Sequence, residues 1–184
     1  TRRSSDLGIF RILSSCASRQ LEEVTFRRAT IPVTDIMAYA GKYFKRISRG
    51  VDYKITLTIE PLEAKVIGDI NQLRFLIENL IDEALSFHQD GELVLKAIMD
   101  GEYVRFLFTD RRRKKQVEEL NQLFYPNLAR MTSGEKGELR GTEYLICKQI
   151  IRDHDEFAGR RGCRINAEPA QGGGFTVYFT VPKR

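Results

Sequence analysis

Two spacings of apolar residues alternate along the chain. Where they recur every three or four positions they predict helices, and where they alternate one by one they predict strands. Helical spacing covers residues 7–22 (Leu7, Phe10, Leu13, Ala17). It returns after Pro32-Val33-Thr34-Asp35, where Ile36, Ala40, Tyr43, Phe44 and Ile47 line one side until Gly50. The clearest helix follows Gly68-Asp69, with Leu73, Leu76, Ile77, Leu80, Ile81 and Ala84 on one face. A short helix over 117–123 and a longer one over 142–154 (Tyr144, Leu145, Cys147, Ile150, Ile151) complete the set. Strands are expected at 24–31, with Arg27 and Arg28 exposed, and at 53–60, 64–67, 92–99, 103–109, 163–167 and 175–181. Asp100-Gly101 supplies a tight hairpin turn between two of them.

This order predicts an α+β fold. It is a two-layer α/β sandwich in which about three helices cover one face of a mixed, mostly antiparallel sheet. Residues 1–23 would form an N-terminal helical arm, a candidate end of a dimerisation helix, and 24–184 the globular domain. With 184 residues, 42% apolar, the chain can bury one sizeable core.

No apolar run approaches the roughly 20 residues that cross a bilayer, and no signal-peptide pattern is present, so a cytoplasmic domain is expected. The chain opens at Thr1, which leaves room for an upstream membrane anchor. Its three cysteines, Cys16, Cys147 and Cys163, are far apart and fit neither a disulfide framework nor zinc-site spacing, as in a reducing compartment. Cys147 should lie on a buried helix face. Net charge is +5, concentrated in Arg111-Arg112-Arg113-Lys114-Lys115 and in Arg160-Arg161 with Arg164. Such runs suit nucleic acid or acidic lipid, or simply a solvated loop.

The polar residue Asn79 stands inside the apolar face of the Gly68-Asp69 helix. That segment resembles the asparagine-bearing helix of the gyrase, heat-shock-chaperone, histidine-kinase and mismatch-repair ATPase superfamily. Two further segments, in order, look like the catalytic domain of sensor histidine kinases. One is the strand ending at Asp110. The other runs from Gly141 through Lys148-Gln149-Ile150-Ile151-Arg152-Asp153-His154 to Glu168-Pro169 and Gly174-Phe175-Thr176-Val177-Tyr178-Phe179-Thr180-Val181-Pro182. Over residues 24–184 the resemblance implies bacterial two-component signalling and bound Mg-ATP. It implies that Asn79 holds the magnesium ion, that Asp110 takes the adenine amino group, and that Gly141 and Thr142 face the phosphates.

The sequence departs from that pattern. Where histidine kinases carry a second Asn, four residues after Asn79, this chain has Glu83, and the gyrase-type catalytic base position is Phe75, which cannot accept a proton. Asp110 should precede a Gly-x-Gly turn, but Arg111, Arg112, Arg113 and Lys114 follow it. The phosphate loop retains only Gly141, flanked by Arg140, with the carboxylate of Glu143 at a helix start that should cradle phosphate. The pattern predicts a degenerate, pseudokinase-like module that scaffolds or regulates with little or no ATP turnover and binds no cofactor tightly. A divergent active kinase is the alternative, with Arg111, Arg112, Arg113, Lys114 and Arg140 holding phosphate. A nucleic-acid-binding module built on the basic runs is the second alternative. No histidine lies in 1–23, and His88 and His154 read as surface or capping groups, so a phosphoacceptor would lie elsewhere. The implied partners are a response regulator or other signalling protein, or a second copy joined through the arm.

Overall fold

The computed structural model describes residues 26–86, 90–126, 132–133, 139–140 and 142–184. The expected arm at 1–23, His88 and Gly141 lie outside the described residues. Strand β1 (Ala29–Pro32) leads into helix α1 (Val33–Ile47), and β2 (Asp52–Glu60) and β3 (Lys65–Gly68) precede helix α2 (Ile70–Leu85). The hairpin β4 (Asp90–Asp100) and β5 (Tyr103–Asp110) is followed by the short α3 (Val117–Asn121). The two-residue strands β6 (Thr132–Ser133) and β7 (Leu139–Arg140) come next, then α4 (Glu143–Phe157), β8 (Ile165–Pro169) and β9 (Phe175–Pro182).

Five strands form the main sheet in the order β2-β4-β5-β9-β8. All neighbours are antiparallel except β2 and β4, which run parallel because β3 and α2 carry the chain back between them. β1 and β3 form a separate antiparallel pair, tied to the end of β9 by a bridge from Val66 to Lys183. Side chains alternate across the sheet. Leu93, Leu95, Ala97, Phe106, Phe108, Val177 and Phe179 point inward, and Phe106 stacks on Phe179 at 4.9 Å. The core closes over them with the apolar sides of α1, α2 and α4, each carried by the spacing read from the sequence. Cys147 is indeed buried there.

Several boundaries differ from expectation, among them β8, at Ile165–Pro169 where 163–167 is expected. The strand predicted over 24–31 pairs only from Ala29, because Arg27 gives its backbone N–H to the Asp69 carboxylate and Arg28 gives its own to the Phe26 carbonyl. Those donors are therefore lost to a ladder. Helix α4 runs on past His154 to Phe157.

Candidate functional site

The site gathers around α2, whose start is tightly specified. Asp69 is its N-cap: Oδ1 accepts the backbone N–H of Asn71 at 3.0 Å and of Gln72 at 3.3 Å, and Oδ2 accepts that of Arg27 at 3.0 Å. The backbone N–H of Asp69 itself donates to His154 Nε2 at 3.1 Å. His154 Nδ1 lies 2.8 Å from the Ile150 carbonyl, so Nδ1 carries the proton and the ring is neutral. Burial lowers the pKa of this imidazole. His154 is therefore no surface group: it is fully buried, with the Phe26 ring against it edge-on at 4.9 Å. Gly68 makes this approach possible, since a Cβ there would sit 2.8 Å from His154 Nε2.

About two and a half turns into α2, on its buried face, Asn79 is 7% exposed and donates from Nδ2 to the Phe75 carbonyl at 2.7 Å. Phe75 shows part of its ring on the surface. One turn further along, Glu83 is equally buried, and its Oε1 accepts from Arg113 Nη1 at 2.8 Å. The i, i+4 spacing brings Asn79 and Glu83 to one face, and Arg113 reaches that face from the loop after β5.

Asp110 ends β5, sits opposite Leu93 and Phe175 on the helix-facing side, and is 2% exposed. Its Oδ1 accepts the backbone N–H groups of Arg112 and Arg113 at 3.1 and 3.2 Å, an Asx-type turn that folds the basic run back on itself. Its Oδ2 is buried with no hydrogen-bond partner among the described residues.

The run is fastened side chain by side chain. Arg111 donates to the Gln171 carbonyl at 2.6 Å, Arg112 pairs with Asp90 at 2.8 Å, Arg113 pairs with Glu83, and Lys115 lies over the Phe175 ring at 5.6 Å. Lys114 is exposed. Residues 111–115 thus form a strap across the end of the sheet, with Arg111, Arg112 and Lys114 exposed to solvent and Arg113 and Lys115 half-buried. Gly174 lets the strap lie close, because at φ +77° a Cβ there would be 1.8 Å from the Asp110 carbonyl oxygen.

Thr142 is buried at the start of α4, but its side chain makes no capping bond. Arg140 is placed only as backbone, in the β6–β7 pair. Two tyrosines that sequence reasoning left outside the site reach it. Tyr144 is buried at the start of α4, its phenol raised well above its usual range by burial and by Glu83, with Arg113 opposing. Tyr53, on β2, has a buried hydroxyl with no partner among the described residues. Burial first, then Asp110 and Asp90, push that hydroxyl up to about 12. Its ring passes over Gly91, where a Cβ would lie 2.6 Å from it. A Gly directly across the parallel ladder from an aromatic residue was the available signal for Tyr53.

This arrangement can be set beside known proteins. The chain belongs to the family described as histidine kinase-, DNA gyrase B-, and HSP90-like ATPase, which matches residues 68–184. Sensor histidine kinase RcsC of Escherichia coli (strain K12) is 28% identical over 116 residues, which is 62% of this chain and 12% of RcsC. The chain therefore spans only a small part of that relative. Among solved structures, the catalytic domain of histidine kinase ThkA matches with a TM-score of 0.67 at 18% identity, over 85% of this chain and 95% of that one. Histidine kinase AdeS of Acinetobacter baumannii also reaches 0.67 at 15% identity, over 94% of this chain and 74% of that one. These likenesses establish the fold, that of a histidine-kinase-type ATPase domain.

Proposed function

We propose that this domain acts in two-component-type signalling, on the cytoplasmic side, as a regulatory or scaffolding module with little or no ATP turnover. The observation that carries the reading is the Arg113–Glu83 pair. It joins the strap after β5 to the helix face that bears Asn79, the face to which the family resemblance assigns the nucleotide's metal. Phosphoryl transfer depends on positioning and on charge stabilisation of the phosphates. Here a carboxylate and a guanidinium neutralise each other at that place, and Glu143 adds a negative charge at the start of α4. Output would then come from surfaces and from a shift between arrangements, with a response regulator or another signalling protein as partner. ThkA, a structural relative, has been solved in complex with the response regulator protein TrrA.

One observation favours the alternative, a divergent kinase domain that binds Mg-ATP. Asp110 Oδ2 is buried and has no partner among the described residues, and the amino group of a purine would satisfy it. The nucleic-acid reading is the weaker one, because Arg111, Arg112 and Arg113 are each already engaged by the protein.

The experiment is calorimetric titration of ATP with magnesium, paired with an assay for phosphoryl transfer or ADP release. Absence of turnover at millimolar nucleotide is the expected result. Turnover that disappears in Asp110→Asn and Asn79→Ala would overturn the regulatory reading in favour of the active kinase.

A further inference from the structure

Members of this family bind nucleotide together with magnesium, so the residues present can be tested against that ion. Magnesium demands near-octahedral oxygen ligation and gives up its water reluctantly. On the helix face that would receive it, the Asn79 amide nitrogen is tied to the Phe75 carbonyl, which leaves one neutral oxygen. The carboxylate of Glu83 is already neutralised by Arg113 at 2.8 Å, with the two side chains 9% and 18% exposed. That guanidinium, beside the Glu83 carboxylate, repels a second cation. These residues do not fit a divalent metal.

We infer that Arg113 is a built-in counter-ion that replaces the metal, so that this site takes a polyphosphate anion without a divalent cation, the anion displacing Glu83 from Arg113. The inference rests on the regulatory reading above and names what that site would recognise.

The geometry supports each part. The position of Arg113 is set by its own backbone N–H, which Asp110 Oδ1 holds at 3.2 Å, so its side chain leaves the end of the sheet from a fixed point. A guanidinium is always charged and offers a planar fork that suits phosphate as well as carboxylate, so the two anions compete for the same donors. Arg112 and Arg111 are held to Asp90 and to the Gln171 carbonyl, whereas Arg113 faces α2, where it meets Glu83. Glu83 is then an internal competitor that weakens anion binding in the native chain. Its removal should free the guanidinium N–H that Glu83 now accepts from.

The test uses the full chain, with ATP and inorganic pyrophosphate as separate probes, each titrated in EDTA and in excess magnesium. Glu83→Gln should bind ATP in EDTA at least about tenfold more tightly than the native chain, as expected when a charge-assisted contact changes from internal to ligand. Added magnesium should change that affinity by less than about twofold, within what a surface electrostatic effect can produce. Arg113→Met would leave a buried carboxylate unpaired, so the loss of binding is read in the double variant Glu83→Gln/Arg113→Met, which keeps the face neutral. Loss of metal-free binding in the double variant supports the inference. Binding by Glu83→Gln that requires magnesium, or is no tighter than in the native chain, overturns it. Turnover separates the two proposals: a metal requirement without turnover sinks only the counter-ion, whereas turnover by the native chain sinks the regulatory reading.

Discussion

The two ends of α2 solve opposite problems. At its start the capping groups are engaged, with only the Gln72 side-chain oxygen of the first turn buried without a partner among the described residues: Asp69 caps the helix with one oxygen and holds Arg27 with the other, and His154 receives the Asp69 N–H. At its far end, Glu83 and Arg113 hold each other, while nearby Asp110 Oδ2 and the Tyr53 hydroxyl are buried without partners among the described residues. The satisfied end is a joint between α2, α4 and the strand before it. The unsatisfied end is where a ligand could still be paid for its desolvation, because orphaned buried atoms gain most from a new partner. Stability is concentrated at one end and unused binding capacity at the other.

The contrast can be broken most violently through the strap. Gly174→Ala would drive a Cβ into the Asp110 carbonyl at a positive φ, and a loss of about 4 kcal/mol or more is expected, at the far tail of single-residue effects. Gly172→Ala is the control: its φ is also positive, but the nearest atom is the end of the Arg111 side chain at 3.6 Å, so about 1–2 kcal/mol of backbone strain is expected. Urea unfolding of the two variants checks the difference. Equal losses would mean that close approach to the strap is not what Gly174 provides.

At the satisfied end, Asp69→Ala removes the acceptor for three backbone N–H groups and should cost about 2 kcal/mol, the upper range for a helix cap. The effect belongs to stability, and it should appear in thermal unfolding with or without nucleotide.

His154 gives a subtler handle. Burial lowers its pKa below the ordinary 6.5, so below that pH the unfolded chain binds the proton that the folded chain refuses. Stability is therefore fully present above pH 6.5 and falls as pH drops through 6.5 toward the lower folded value, by at most about 1.4 kcal/mol per unit. His154→Gln should start less stable at pH 7.5 and lose this slope between pH 6.5 and 5. Carboxylates titrate in both proteins, so the difference between the two profiles isolates the imidazole. Parallel profiles would show that His154 is not held neutral by the fold.

The smallest effect is expected at the other end. Asp110→Asn keeps an oxygen for the Arg112 and Arg113 N–H groups and alters only the orphaned position, so stability should change by no more than about 1 kcal/mol. A larger loss would mean that the unpartnered oxygen is structural, and would erase the contrast between the two ends.

The sequence carried a good deal of this. The spacing of Leu73, Leu76, Ile77, Leu80 and Ile81 wrote α2 and its buried face, and Gly68-Asp69 marked its start. Alternation wrote β2, β4, β5 and β9 to within a residue or two. Asn79, Glu83 and Asp110 could be singled out because a polar residue in an apolar face stands out locally, and all three are buried. Such signals are local: they depend on neighbours within a few turns, and the one-dimensional pattern records them.

What the sequence could not disclose lies in pairings across distance. Arg113 read as one cation among five, and only the fold brought it to Glu83, 30 positions away. His154 read as a capping group at a helix end, and only the packing of α4 on α2 turned it into the acceptor for Asp69, 85 positions away. The Asp69 carboxylate took the Arg27 N–H and so shortened the first strand. Whether a charged side chain is solvated, paired or buried depends on which element covers it. Tertiary structure alone decides that, because desolvation and hydrogen bonding act between surfaces that meet only after the chain has folded.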